Sequence, residues 1–286
     1  MTRNAKKEAA IGLLFILPSL AGTVCFVIAP FFISIWYSIT SGITDVKIVW
    51  LDNYVDLLKS PAFQLAAKNT LVYMGAGVPL ALVISLAAGM ALSRRASSMA
   101  MVSMLTPYIV PVSAVIAGWS MLLGDDGIAV RIAAAAGRKM PGLLSGDAAM
   151  GAAVALYVWK NIGYLAVIFT SAISQIPKEH YEVFDLESTS EAKKALYVTI
   201  PLAMPAALFA MVIAVANSFR AFRDIHAIFG TDPPKSVYML AHFMNNNFFK
   251  LNYQRLTTAS LMLASVLFAG IWLALKAQER YVRSQL

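Results

Sequence analysis

The segment IPKEHYEVFDLESTSEAKKALYVTIPLAMPA, residues 176–206, is a polar connection set between two long apolar stretches. It reads as two short helices. Pro177 suits the first turn of one, where a backbone N–H has no helical partner to lose. Ser188 stands three residues before Glu191, the spacing of a capping box in which each side chain satisfies the other's exposed N–H. The second helix is predicted from about Thr189 until Pro201 stops it or starts the next apolar stretch. A helix-turn-helix bearing both acids and bases needs a partner or a membrane surface to justify its order; the alternative is an ordinary polar connector.

Outward from this loop the chain is strongly apolar. Hydrophobic residues make up 59% of its 286 positions and charged residues 13%, against about half and a quarter in soluble domains. A bilayer is therefore the expected solvent. Six stretches, 11–38, 70–93, 99–123, 148–174, 202–225 and 256–275, are each long enough to cross roughly 30 Å of hydrocarbon at about 1.5 Å per residue. The first contains Pro18 and Pro30 and shows no small-residue cleavage site, so it reads as a helix rather than a signal peptide. No repeat or long linker interrupts the pattern. The expectation is an all-α membrane protein of one domain, 1–286, with its polar loop at about 176–201 lying between helices four and five.

The net charge of +8 does not point to nucleic acid, because the basic residues form no dense cluster and fall mostly between the helices. With a cytoplasmic N-terminus, the inner segments hold 11 Lys and Arg in 49 residues and the outer ones 9 in 84. That twofold bias predicts that both termini and the 176–201 loop are cytoplasmic. Cys25 is the single cysteine, which excludes an intrachain disulfide and a cysteine metal site. No cofactor is expected.

The 176–206 segment closely resembles the EAA loop of binding-protein-dependent ABC importer permeases. Glu182, Ile200 and Pro201 fit that signature, while Val183 and Phe184 replace its two alanines. Ser188 stands where the family has glycine, so this elbow is expected to be stiffer or N-capped rather than left-handed. LDNYVDLL (51–58), LTPYIVP (105–111) and VWKNIGY (158–164) extend the resemblance over nearly the whole chain, to the sugar-importer branch and the subunit similar to the larger maltose permease. The resemblance implies a bacterial inner-membrane protein that pairs with a second permease, is powered by two cytoplasmic ATPases and receives sugar from an external solute-binding protein. It also implies that the loop docks on an ATPase, with Tyr181, Glu182, Asp185, Glu187 and Ser188 as candidate contacts. Any of these can equally be a solvated helix face. The chain has no Gly-x-x-x-x-Gly-Lys-Ser/Thr phosphate loop, which fits a non-catalytic subunit whose energy comes from elsewhere.

Polar groups within hydrocarbon are costly and usually face a cavity or another helix. Asn217, Arg220 and Asp224 fall at i, i+3 and i+7 along one helical stripe, with Ser218 and Arg223 adjacent. Alignment on the maltose-permease pattern implies that Asn217 and Arg220, with Tyr108, Lys160 and Asn161, lie at substrate positions. Val112 falls at a further position that is polar in the family, so the ligand differs or binds differently. Amide, guanidinium and phenol groups suit a sugar's hydroxyls and apolar ring faces, and Arg220 and Lys160 can also meet a carboxylate or phosphate. Three structural alternatives stand beside this reading. Arg220 can pair with Asp224 four residues on, Tyr108 and Asn161 can bond between helices, and Trp36, Tyr37, Trp50 and Tyr54 suit an interfacial belt better than a sugar platform.

Two rival classes remain. An intramembrane protease is suggested only by Gly118-Trp119-Ser120 with His226 near a helix end, and nothing in the sequence puts a base beside Ser120. An ion-coupled carrier or channel suits the composition and the buried charges. It has no need of a docking loop, and no internal repeat of the kind common in carriers is present.

Overall fold

The computed structural model describes residues 3–42, 45–94 and 98–283. The chain opens with α1 (Arg3–Thr23), a π-helical turn over Val24–Ile28 and α2 (Ala29–Ser38). A two-stranded hairpin, β1 (Thr40–Ser41) with β2 (Lys47–Ile48), leads to α3 (Asp52–Lys59) and the long α4 (Pro61–Arg94). Next come α5 (Ser98–Ile109), α6 (Val112–Leu123), α7 (Ile128–Ala135) and α8 (Ala149–Ile173). The polar loop forms α9 (Lys178–Glu187) and α10 (Glu191–Lys194), and a second π turn over Ala195–Thr199 runs into α11 (Ile200–Arg220). The chain ends with α12 (Phe222–Phe229), α13 (Leu240–Phe249) and α14 (Tyr253–Arg283).

Six helical runs are long and apolar enough to cross a membrane: Ile11–Ser38, Pro61–Arg94, Val112–Ala135, Gly146–Ile173, Glu191–Phe229 and Tyr253–Lys276. The third differs from the single helix expected over 99–123. Val110 and Pro111 separate α5 from α6, because Pro111 has no N–H to continue α5 and takes an extended ψ of 146° at the start of α6. Two other prolines are absorbed. Each π turn ends two residues before a proline, Pro30 or Pro201, and closes with an i to i+5 bond, Ala29 N–H to Val24 O and Ile200 N–H to Ala195 O. A wider turn supplies the slack that a missing donor and a bulky ring require, so neither proline ends its helix.

The fold groups into two compact units, Met1–Phe63 with Met244–Leu267, and Gln64–Phe243 with Phe268–Leu286. In the first, Asn53 Nδ2 donates to Ser38 O and Thr40 O, both at 2.9 Å, and the Tyr54 hydroxyl donates to Ser38 Oγ at 2.9 Å. The first of these satisfies the last carbonyl of α2, and Gln254 Nε2 ties the start of α14 to Gly42 O at 3.0 Å.

In the second unit α8 is the central helix, with 67% of its most apolar window buried. Small residues let backbones approach. Ala203, Ala210 and Ala214 of α11 are fully buried against the cluster that includes Tyr157, Leu165 and Phe169 of α8 and Tyr73 and Ala81 of α4. Side chains then bond across helices: Ser85 Oγ to Ile162 O at 3.0 Å and the Tyr157 hydroxyl to Ala214 O at 2.6 Å. The segment before α13 is clamped on α4, where Asn69 Nδ2 donates to Lys235 O at 2.7 Å and Leu240 N–H to Thr70 Oγ1 at 2.9 Å.

Fully buried His242 lies in this clamp, its Nδ1 accepting from Met239 N–H at 3.3 Å and its ring stacked on His226 at 6.0 Å. Burial, and then His226, push its imidazole down to about 4. The unfolded chain protonates near 6.5 while the folded ring stays neutral, so stability is complete above that pH and is lost as pH falls toward 4. Melting temperature should drop through this window, and His242→Gln should flatten the drop. An unchanged slope in the variant would show that other groups set it.

Candidate functional site

A cavity of about 230 Å³ opens in the second unit where α4, α5, α8, α11 and α12 meet. The helix positions singled out in the sequence converge there: Tyr108 from α5, Lys160 and Asn161 from α8, and Asn217 and Arg220 from the end of α11 all line it. Asp224 and Arg223 of α12 complete the polar wall. Sequence reading missed Tyr73 and Tyr157, which line the same space and meet edge to face at 5.6 Å. Tyrosine within a span reads as an ordinary packing residue, and only the fold shows that these two share a wall.

The wall is a bonded network. Asn217 Nδ2 donates to Asn161 Oδ1 at 2.9 Å, and Asn161 Nδ2 donates to Tyr157 O at 2.8 Å. Interhelical bonding of Asn161 is therefore present at the cavity edge. The i, i+4 pairing considered for Arg220 and Asp224 does not form. α11 and α12 are interrupted at Ala221, and Asp224 Oδ2 instead takes the Lys160 ammonium of α8 at 2.8 Å. The two side chains of that pair are only 11% and 6% exposed, so each removes the cost of the other's buried charge. Arg220 and Arg223 are exposed and have no ion-pair partner among the described residues. Two buried polar atoms of the wall, the Tyr73 hydroxyl and Asp224 Oδ1, also lack a hydrogen-bond partner. Tyr108 stacks on Tyr164 at 4.9 Å with rings 13° apart, which presents one flat aromatic surface to the space.

The polar loop is braced to the rest of its unit. Asp185 of α9 takes Lys194 of α10 at 2.6 Å, Lys194 also reaches Glu191 at 3.2 Å, and Glu191 pairs with Arg94 at the end of α4. The Tyr181 hydroxyl lies 3.3 Å from Thr199 Oγ1. Asp185 is thus engaged within the loop, whereas Glu182 and Glu187 are exposed without an ion pair among the described residues. The expected Ser188 capping box does not form, and the N-cap lies two residues further on. Ser188 is the extended C-cap of α9, with φ −158° and ψ 133°, and Ser190 is the N-cap that accepts from Lys193 N–H. No left-handed turn is needed at the elbow. Beside Glu182, the apolar Val183 and Leu186 are 64% and 87% exposed. With Phe184 they are the apolar residues of a largely polar helix.

The protease constellation does not assemble. Ser120 is exposed on α6, no hydrogen bond joins it to His226, and His226 Nε2 is buried without a partner.

Comparison with known proteins agrees with this fold. Over 281 residues the chain is 25% identical to the sn-glycerol-3-phosphate transport system permease protein UgpA of Yersinia pestis bv. Antiqua, covering 95% of each chain. Over 234 residues it is 24% identical to the trehalose/maltose transport system permease protein MalF of Thermococcus litoralis, covering 79% of each. The fold matches a chain in the crystal structure of a bacterial ABC transporter that imports the acidic polysaccharide alginate, with a TM-score of 0.79 at 17% identity over 98% of this chain and 99% of that one. Residues 77–283, most of the chain, match the family of binding-protein-dependent transport system inner membrane components, and the chain belongs to that family.

Proposed function

We propose that the chain is one permease subunit of an ATP-driven importer of sugars or sugar-like solutes, working beside a second permease. Two cytoplasmic ATPases supply the energy, an external binding protein delivers the solute, and both termini face the cytoplasm. One observation carries this reading. A single helical run, Glu191–Phe229, begins in the braced loop and ends in the wall of the polar cavity. A push on α9 and α10 is transmitted along α11 to Asn217 and Arg220 at its far end, which is what alternating access requires of a subunit that does not hydrolyse ATP itself. Glu182 and Glu187, flanked by exposed Val183 and Leu186, supply the contact face for the ATPase. Asp185, with Tyr181 and Ser188, keeps the face rigid.

Copurification of the tagged chain from detergent-solubilised membranes should bring down an ATPase and a second permease. A lone chain that still transports after reconstitution would overturn the proposal in favour of an ion-coupled carrier. In the intact complex, Glu182→Lys should cut solute uptake by about tenfold or more, within the 5 to 150-fold range of typical coupling energies, with normal amounts in the membrane. Normal uptake would remove Glu182 from the contact.

A further inference from the structure

We infer that the cavity takes the acidic group of an anionic saccharide on Arg220 and Arg223, while Asp224 and Tyr73 meet the hydroxyls of the same molecule. The inference rests on the importer reading above and deepens it. Its basis is a charge count within the wall. Lys160 and Asp224 neutralise one another at 2.8 Å, which leaves two guanidinium groups and no carboxylate to balance them. A guanidinium is a permanent cation in proteins. Arg220 and Arg223 stand three residues apart on either side of Ala221, the α11–α12 junction, and both line the cavity, where like charges repel.

A neutral sugar leaves that repulsion in place and offers the two guanidinium groups no counter-charge. A carboxylate or phosphate ester removes the repulsion and accepts bidentate bonds from the planar forks. The unpartnered atoms select the rest of the molecule. Asp224 Oδ1 accepts and the Tyr73 hydroxyl donates, each more than nine-tenths buried, and vicinal hydroxyls answer both. At about 230 Å³ the space falls below the roughly 300–1,000 Å³ of drug-sized sites. One ring or one small ester fits, so the acidic group belongs to the unit held there.

The test reads the field of the cavity directly. In a Cys25→Ser background of the copurified complex, Ala221→Cys places a thiol in the wall, and Tyr108→Cys places a second one on another helix. Each is treated with an anionic and a cationic methanethiosulfonate of similar size, normalised to the same pair at an exposed control thiol. The anionic reagent should react about tenfold faster or more at both positions, as expected for a focused positive field. The preference should fall toward unity with Arg220→Gln and Arg223→Gln combined. Equal rates, or a preference that survives the double substitution, would overturn the inference.

Protection of the thiols then separates the sources of the anion. Galacturonate protecting better than glucose indicates a carboxylated sugar, and glycerol 3-phosphate protecting better than glucose indicates a phosphate ester. Protection by glucose equal to both overturns the anionic assignment. Because all rates are read on a complex that retains its ATPase, these failures leave the importer reading standing, whereas loss of the ATPase on purification removes that reading instead.

Discussion

Replacing Gly163 with alanine is expected to destabilise the protein by about 3 kcal/mol, the upper end of the usual overpacking penalty, and to abolish most transport. A Cβ at this position of α8 would overlap the carbonyl of Met104 in α5 and stand 3.1 Å from Leu105 N. The obstacle is backbone rather than the end of a flexible side chain, so α5 as a whole must move. Tyr108 lies one helical turn beyond Met104 and stacks on Tyr164, the residue after Gly163. A shift of α5 therefore takes an aromatic wall away from the cavity as well as opening the α5–α8 contact. Gly151 of the same helix is the control, since a Cβ there meets nothing within 4 Å. Gly151→Ala should be neutral or stabilising by up to about 1 kcal/mol through helix propensity. Thermal unfolding of the solubilised protein and uptake by the complex measure both. Equal melting temperatures for the two variants would show that α5 does not pack on α8 as described.

The contrast between these two glycines marks what a reader of the sequence can and cannot see. Long apolar runs announce themselves, because 20 residues without a charge have few other uses, and the two loop helices were visible in their punctuation by Pro177, the serines and Pro201. The break at Pro111 was written in LTPYIVP but lost within a continuous apolar stretch, since hydropathy does not register a missing N–H. Pro30 and Pro201 show the opposite case, where a π turn absorbs the same defect. Two hydroxyls two residues apart can each cap a helix, and Ser190 rather than Ser188 does so because Ser188 is spent ending α9. Cavity residues supplied by resemblance, such as Tyr108 and Asn161, converge in space, but their partners are long-range. Asp224 was weighed against Arg220 four residues away and is held by Lys160, 64 residues away. Local spacing has no access to that choice.

The ion pair between Lys160 and Asp224 leads to the second large effect. Lys160→Met leaves a carboxylate 6% exposed without its ion-pair partner, and Asp224→Asn leaves a buried ammonium without its own. Each single change should cost about 3–5 kcal/mol, the usual penalty for an orphaned buried charge. A charge at the centre of a membrane helix costs about 2.5–3.5 kcal/mol on insertion scales, so reduced amounts in the membrane are expected too. The combined variant removes both charges and should recover most of the loss, because a buried pair exchanged for uncharged groups is often close to neutral in stability. Recovery of stability need not bring recovery of transport. The double variant removes the carboxylate whose free Oδ1 faces the cavity, but it keeps Arg220 and Arg223. If uptake stays lost while melting temperature returns, the pair both holds α8 against α12 and presents Asp224 to solute. Full recovery of uptake would make the pair a structural strut alone, and additive losses in the double variant would show that the two charges do not depend on each other in the folded protein.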